Sequence, residues 1–224
     1  MFIGHFAIGL GAKKFAPEVS LGTFFIAVQF LDLLWPTLLL LNVEHVAIHP
    51  KLESSKIVEF TDYPISHSLL LAVVWSLLFS GVYWLFKRDF KVAIILAFCV
   101  LSHWLLDLTV HFPDLPLYPG KSPLLGLGLW KSTVGTIIIE GTIFIIGIIL
   151  YLKATTTKNK TGIIVFYILI ALLIFTHVSS LFAPAPASTN QLAWAAQFQW
   201  VFILLAYWAD RNRSATTDGT KHTR

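Results

Sequence analysis

The chain has 224 residues, 56% of them hydrophobic and only 12% charged, and its mean hydropathy of +0.75 exceeds what a soluble globule of this size carries. Its formal net charge of +4 comes from short basic clusters beside apolar runs, not from a continuous stripe, which excludes a nucleic-acid surface. The single cysteine, Cys99, excludes an intramolecular disulfide framework, and no CxxC or Cys/His zinc-finger spacing is present.

The first segment, MFIGHFAIGLGAKKFAP, is too short to span a bilayer and has its lysines after the apolar part, the reverse of a secretory leader. It is expected to be retained as a short apolar segment packed against the bundle. Six runs follow that reach the ~20 residues a helix needs to cross about 30 Å of hydrocarbon: 21–42, 68–86, 92–110, 134–152, 162–182 and 191–209. Helix breakers separate them: 43–66 with Pro50 and Pro64, the tight KRDFK turn, the Pro- and Gly-rich 112–133, ATTTKNKTG, and APAPASTN. With no internal repeat, the economical reading is an all-α polytopic membrane bundle of about six transmembrane helices. It forms one domain over 1–210, followed by a polar tail, 211–224, expected to be disordered.

Twelve of the 16 Lys and Arg residues fall on one side of this topology, and only Lys51, Lys56, Lys121 and Lys131 on the other. The positive-inside rule then places both termini in the cytoplasm and 43–66 and 112–133 outside, with membrane lipids as partners and no nucleic acid. Trp84, Tyr151, Tyr207 and Trp208, near span ends, read as interfacial anchors, and Trp194 and Trp200 as lipid contacts.

Ionisable groups at bilayer depth rarely arise without a use. His103, Asp107 and His111 recur every four residues in an oily run and share one helix stripe. Asp32 in AVQFLDLLWP, His67 in YPISHSLLLA and Glu140 in TIIIEGTIF sit in similar company. At ~1.5 Å per residue, His5, Asp32 and His103 lie roughly 12–18 Å from the basic interface, close enough in depth to meet. His67 and Asp107 lie further out, so one site requires a polar funnel or an unwound helix end near Pro64. Imidazole and carboxylate suit a divalent ion such as zinc, and an ion in a funnel can activate water and polarise an ester or phosphoryl oxygen.

Each residue also has a plainer reading. His103 and Asp107 can satisfy one another within their helix, and Ser66 beside His67 can cap the second span. Asp32 needs a partner or a proton, and His5 can be an interfacial polar residue. Glu140 either accepts a hydrogen bond from a site histidine or is a protonated packing residue. His111 and Asp114 either line an entrance and bind substrate or, for Asp114 after Pro113, make a turn. Glu44, His45 and His49 read as a solvated surface loop, and His177 as a wet interfacial residue.

The ordered motifs GHFAIGL, FLDLLWP, YPISHSLL and SHWLLDLTVHFPDLPLYP resemble the bacterial YdjM-like family of inner-membrane proteins predicted to be metal-dependent hydrolases. That family is distantly similar to the zinc-dependent phospholipase C and single-strand nuclease superfamily. The resemblance covers roughly 1–131 and implies metal ligands at His5, Asp32, His67, His103 and Asp107. Where the family pattern has an acidic pair with an adjacent histidine, this chain has Asp32 followed by Leu33 and Leu34.

The expected function is a membrane-embedded metal-dependent hydrolase of a lipid-like or phosphoester substrate, with zinc as the expected ion and Asp32, His103 and Asp107 as catalytic residues. His111, Asp114 and Glu140 are assigned to substrate contact or ligand support. Two alternatives stay open: a small transporter or proton-coupled permease using Asp32, Glu140 and the histidines, and a noncatalytic scaffold whose polar residues hold helices together.

Overall fold

The computed structural model describes residues 1–49 and 57–216; Pro50, Lys51, Lys56 and the tail from 217 onward lie outside the described residues. The chain starts with the apolar helix α1 (Phe2–Ala12), too short to span, and turns back into α2 (Leu21–Val28) and α3 (Phe30–Leu40). Strands β1 (His45–Ile48) and β2 (Val58–Asp62) pair antiparallel, and the four-residue α4 (Pro64–His67) leads into α5 (Leu69–Lys87) and α6 (Phe90–Val110). The short strands β3 (Leu115–Pro116) and β4 (Leu124–Leu125) and a 3-10 turn precede α7 (Thr133–Ala154) and β5 (Thr155–Thr157). Then come α8 (Lys160–Phe182), α9 (Thr189–Ala196), α10 (Gln199–Arg211) and β6 (Arg213–Ala215).

Among the described residues, α5, α6, α7, α8 and the Thr189–Arg211 stretch are each long and apolar enough to cross a membrane, and the α2–α3 pair, bent by 57°, is long and apolar enough when taken together to make a sixth. The expected bundle of about six spans with a packed N-terminal segment is what the chain forms. Caps explain where the spans begin: Asp89, Ser132, Asn159 and Ser188 each accept the backbone N–H three residues on. Residues facing outward, among them Leu77, Phe98, Ile138, Ile164 and Phe175, are exposed and apolar, as a lipid-facing surface requires.

Two features of the first span depart from a straight helix over 21–42. The break falls at Gln29, which is buried and leaves the helical region at φ −103°, ψ 7°, not at Pro36. Pro36 lies inside α3 and has no N–H to give the carbonyl of Asp32, and Gln199 Nε2 donates to that carbonyl instead at 3.3 Å. The proline thereby ties the turn carrying Asp32 to α10.

At the end of the bundle away from the hairpin loops, buried Lys13 donates to Asp210 at 2.6 Å and to the Val19 carbonyl at 2.7 Å, and Tyr151 donates to Asp210 at 2.9 Å. Tyr151 is therefore a core residue and not the interfacial anchor expected, whereas Trp84 and Trp208 are exposed. The start of the expected disordered tail is ordered: Arg211 ends α10, and Arg213–Ala215 pairs antiparallel with Thr155–Thr157. Arg213 is buried over the rings of Tyr151 and Phe166.

Helix α1 packs most closely on α7, where a Cβ at Gly147 would come within 2.5 Å of the Ala7 carbonyl oxygen. Only glycine admits this approach, and it brings the start of α1, with His5, against the wall formed by α6.

Candidate metal centre

His5, Asp32, His67, His103 and Asp107 come together from α1, α3, α4 and α6. Two overlapping sets, His5–His103–Asp107 and Asp32–His67–His103, each place one ligand atom per residue within 4.8 Å of one another. His103 belongs to both sets. All are buried apart from the Asp32 side chain, which retains 26% of its exposure.

Helix α6 delivers His103 and Asp107 one turn apart, with His103 Nε2 3.2 Å from Asp107 Oδ2. The pair is the close i,i+4 contact of the plainer reading, although its angle falls outside hydrogen-bond geometry and leaves Nε2 without such a partner among the described residues. The other ring nitrogen, Nδ1, lies 2.7 Å from the Val28 carbonyl. A carbonyl only accepts, so Nδ1 carries a proton, and in the neutral ring the Nε2 lone pair faces Asp32, 3.6 Å away, and Asp107.

His67 is oriented by the same logic with different partners. Ser66 Oγ donates to Glu44 Oε2 at 2.6 Å, which uses its one proton, so it accepts from His67 Nδ1 at 2.7 Å. The Ser66 backbone N–H donates to Glu44 Oε1 at 2.7 Å. His67 Nε2 then faces Asp32 at 3.4 Å and Asp107 at 3.8 Å with its lone pair. Pro64 opens α4, and Ser68 breaks the helix at ψ 144° before capping α5 through its Oγ and the Leu71 N–H. The cap is thus Ser68 and not Ser66, and His67 sits in the unwound span end that a single site requires. Trp104 Nε1 secures the turn by donating to the His67 carbonyl at 2.8 Å.

His5 Nε2 approaches Asp107 Oδ1 at 3.0 Å, and its ring stacks on that of His103 with centroids 3.7 Å apart and planes 3° from parallel. The amino group of Met1 donates to the same Asp107 oxygen. Asp107 is the hub of the centre, with His67 and His111 also within 4 Å of its Oδ2.

An imidazole nitrogen buried between two carboxylates needs a proton or a metal ion between them. Neutral nitrogens and carboxylate oxygens converging at this spacing are the donor set of a divalent transition metal. The residues present therefore fit such an ion, held through His103 and Asp107 with His5 on one side and Asp32 and His67 on the other. Support for the ligands from Val28, Ser66 and Glu44 is the arrangement that orients metal-binding histidines.

His111 reaches the rim. Its Nδ1 is 2.8 Å from Asp114 Oδ1, and its ring lies between Trp130 at 4.3 Å and Phe60 at 5.1 Å. Tyr63 donates to the same Asp114 oxygen at 3.1 Å. Burial, followed by the neighbouring Asp114 charge, lifts the Tyr63 phenol well above its ordinary value, so it remains a donor. Glu140 does not join the cluster: it is buried, and its carboxylate accepts the Gly4 N–H at 3.4 Å rather than a proton from a site histidine.

Sequence reasoning missed Glu44. Its setting suggested a solvated loop, yet it is 1% exposed, and burial raises its carboxyl above the ordinary value against the opposing hydrogen bonds from Ser66. No local signal marks it, because its partner lies 22 residues along the chain. His45 and His49 are at the surface as expected and face Asp62 and Glu59 across the β1–β2 hairpin. His177, expected to be wet, is 7% exposed.

Neither a curated protein nor a solved structure matches the chain. The profile of the family described as YdjM inner membrane protein matches residues 3–209, from α1 through α10, and so takes in the whole cluster. With five to six membrane-length helices and that match, the chain is an integral membrane protein belonging to the YdjM inner membrane protein family.

Proposed function

We propose that this protein is a membrane-embedded metal-dependent hydrolase acting on a lipid-like or phosphoester substrate. The observation that carries the reading is the convergence of five imidazole and carboxylate side chains from four helices in two overlapping sets that share His103, whose buried Nε2 lies between Asp32 and Asp107. A proton relay would string such groups across the membrane, and helix-gluing residues would pair off two by two. Here they gather in one small volume at one end of the bundle.

A divalent ion held there supplies Lewis-acid polarisation of the scissile oxygen and activation of water. The chain's own residues supply the rest. Asp32, the most exposed member, has its carboxylate on the open side, where it orients the attacking water and accepts its proton. Asp107 and His103 hold the centre rigid from α6, and His111, positioned by Asp114, stands at the entrance, where it contacts the substrate head. Apolar walls exclude bulk water and accept the substrate's hydrocarbon. By the distribution of Lys and Arg, the hairpin-loop end faces away from the cytoplasm, so we place the opening on that side and the end of α10 inside, with the Met1 amino group buried at Asp107.

The test is metal analysis of detergent-purified protein paired with a panel of lipid and soluble phosphoesters. One or two equivalents of metal, and a hydrolysis that chelation abolishes, zinc restores and Asp32→Asn removes, are the expected results. Purified, folded protein that neither retains nor binds a divalent ion would overturn the reading.

A further inference from the structure

Next to the metal centre is a second chamber of about 400 Å³, within the size range of small-ligand sites. It lies between the start of α1, the loop-side ends of α7 and α8, and the segment leading into α9. Its walls include Phe2, Trp130, Leu181, Pro184 and Leu192, and Glu140 and His177 face into it. Among the described residues no Lys or Arg lines it.

The two polar residues define its chemistry. Both ring nitrogens of His177 are buried without a hydrogen-bond partner among the described residues, although the side chain is more than nine-tenths buried. Its ring lies parallel to Phe2, with centroids 6.3 Å apart, which fixes its plane. Glu140, 2% exposed, has among the described residues only the long hydrogen bond from the Gly4 amide. Leaving both ring nitrogens unpaired in an apolar wall beside a carboxylate is unfavourable, so the chamber is shaped for a ligand that both donates and accepts. The Met1 ammonium near Glu140 donates to Asp107 and does not line the chamber, so an anionic head such as a phosphate would meet the Glu140 carboxylate with no lining cation among the described residues. A hydroxyl meets the requirement, since it donates to Glu140 and accepts from the one N–H of a neutral His177.

We infer that this chamber binds an uncharged amphiphilic alcohol, with its hydroxyl between Glu140 and His177 and its hydrocarbon along Phe2, Trp130, Leu181 and Leu192. The site is separate from the metal cluster, divided from it by the first turn of α1 and by Trp130 against His111, and its occupancy does not require the ion.

Photoaffinity labelling of the full-length protein in detergent tests this, using a long-chain alcohol carrying a diazirine and an alkyne. Matched alkyl phosphate, alkylamine and hydrocarbon probes serve as comparisons. Saturable labelling of α7 and α8 by the alcohol, displaced by unlabelled alcohol and at least tenfold weaker with the phosphate and the hydrocarbon, is the expected result. His177→Phe keeps the ring against Phe2 but removes both nitrogens, and weakens alcohol binding about tenfold, the value of one or two hydrogen bonds. Leu181→Trp fills the chamber and abolishes labelling, with metal content unchanged in both variants. Equal labelling by the hydrocarbon or the phosphate, stronger labelling by the amine, or undiminished labelling of His177→Phe would overturn the inference, whatever the metal centre proves to do.

Discussion

The Nδ1–H of His103 donates to the carbonyl of Val28, 75 residues away, at 2.7 Å. Val28 is the last residue of α2, and the kink that follows it at Gln29 presents its carbonyl to the histidine. One hydrogen bond thereby joins the bent first span to α6 and settles which nitrogen of His103 faces the site.

His103→Ala and Asp107→Ala are expected to lose stoichiometric metal, because each removes a donor that the remaining ligands cannot replace. Metal content by mass spectrometry after gel filtration reads this. In the unsubstituted protein a chelator lowers the unfolding temperature, since an ion present at 100 times its Kd contributes about 2.7 kcal/mol to the folded state. Metal content unaffected by either substitution would remove both residues from the ligand set.

Glu44→Gln is expected to act at a distance. The amide NH2 donates to Ser66 Oγ, which turns the serine proton toward His67 Nδ1 and moves the histidine proton onto Nε2. The lone pair facing Asp32 disappears, and metal affinity falls about 10- to 100-fold, the usual scale for groups that orient ligands. Competition against a chromophoric chelator measures it, and an affinity within twofold of the unsubstituted protein would rule out the relay.

Gly147→Ala is expected to destabilise the protein by about 1–3 kcal/mol, because the new methyl meets the Ala7 backbone and not a side chain that can swing away. Helix α1 must shift to relieve the contact, and it carries His5, so metal affinity falls along with thermal stability. Gly141→Ala, with open space around it, is the control and leaves both unchanged.

Tyr63 sets an alkaline limit. Its phenol is raised in the folded protein above the free value of about 10, so below that pH it is protonated in both folded and unfolded chains and stability does not depend on it. Above that pH the unfolded chain ionises first, and stability falls as pH rises toward the folded value. Tyr63→Phe is expected to remove this part of the alkaline loss while leaving Asp114 with His111 alone. Unfolding temperatures measured between pH 8 and about 11 check the sign.

How much of this was legible follows from the range of each interaction. The α6 stripe of His103, Asp107 and His111 was readable because helical spacing is a local property, and the spans because lipid imposes a length. Asp32 and His67 were readable as anomalies, polar groups amid apolar neighbours. Glu44 was not, since its local company is polar and only its fold-level neighbours bury it. The break at Gln29 was not either, because nothing local marks it; Pro36, which lies within α3, is accommodated there because another donor, Gln199, takes the carbonyl it orphans.

The amino-acid sequence by itself determined that this is a polytopic helical membrane protein, where its spans lie, and which side chains are out of place in lipid, because hydrophobic length and helical period act within a few turns. Only the tertiary structure decided that five of those side chains share one centre, that Glu44 and Val28 orient it, and that Glu140 and His177 belong to a different chamber. Hydrogen bonds and ligand geometry act over about 3 Å, and nothing in chain order specifies which residues from separate helices come that close.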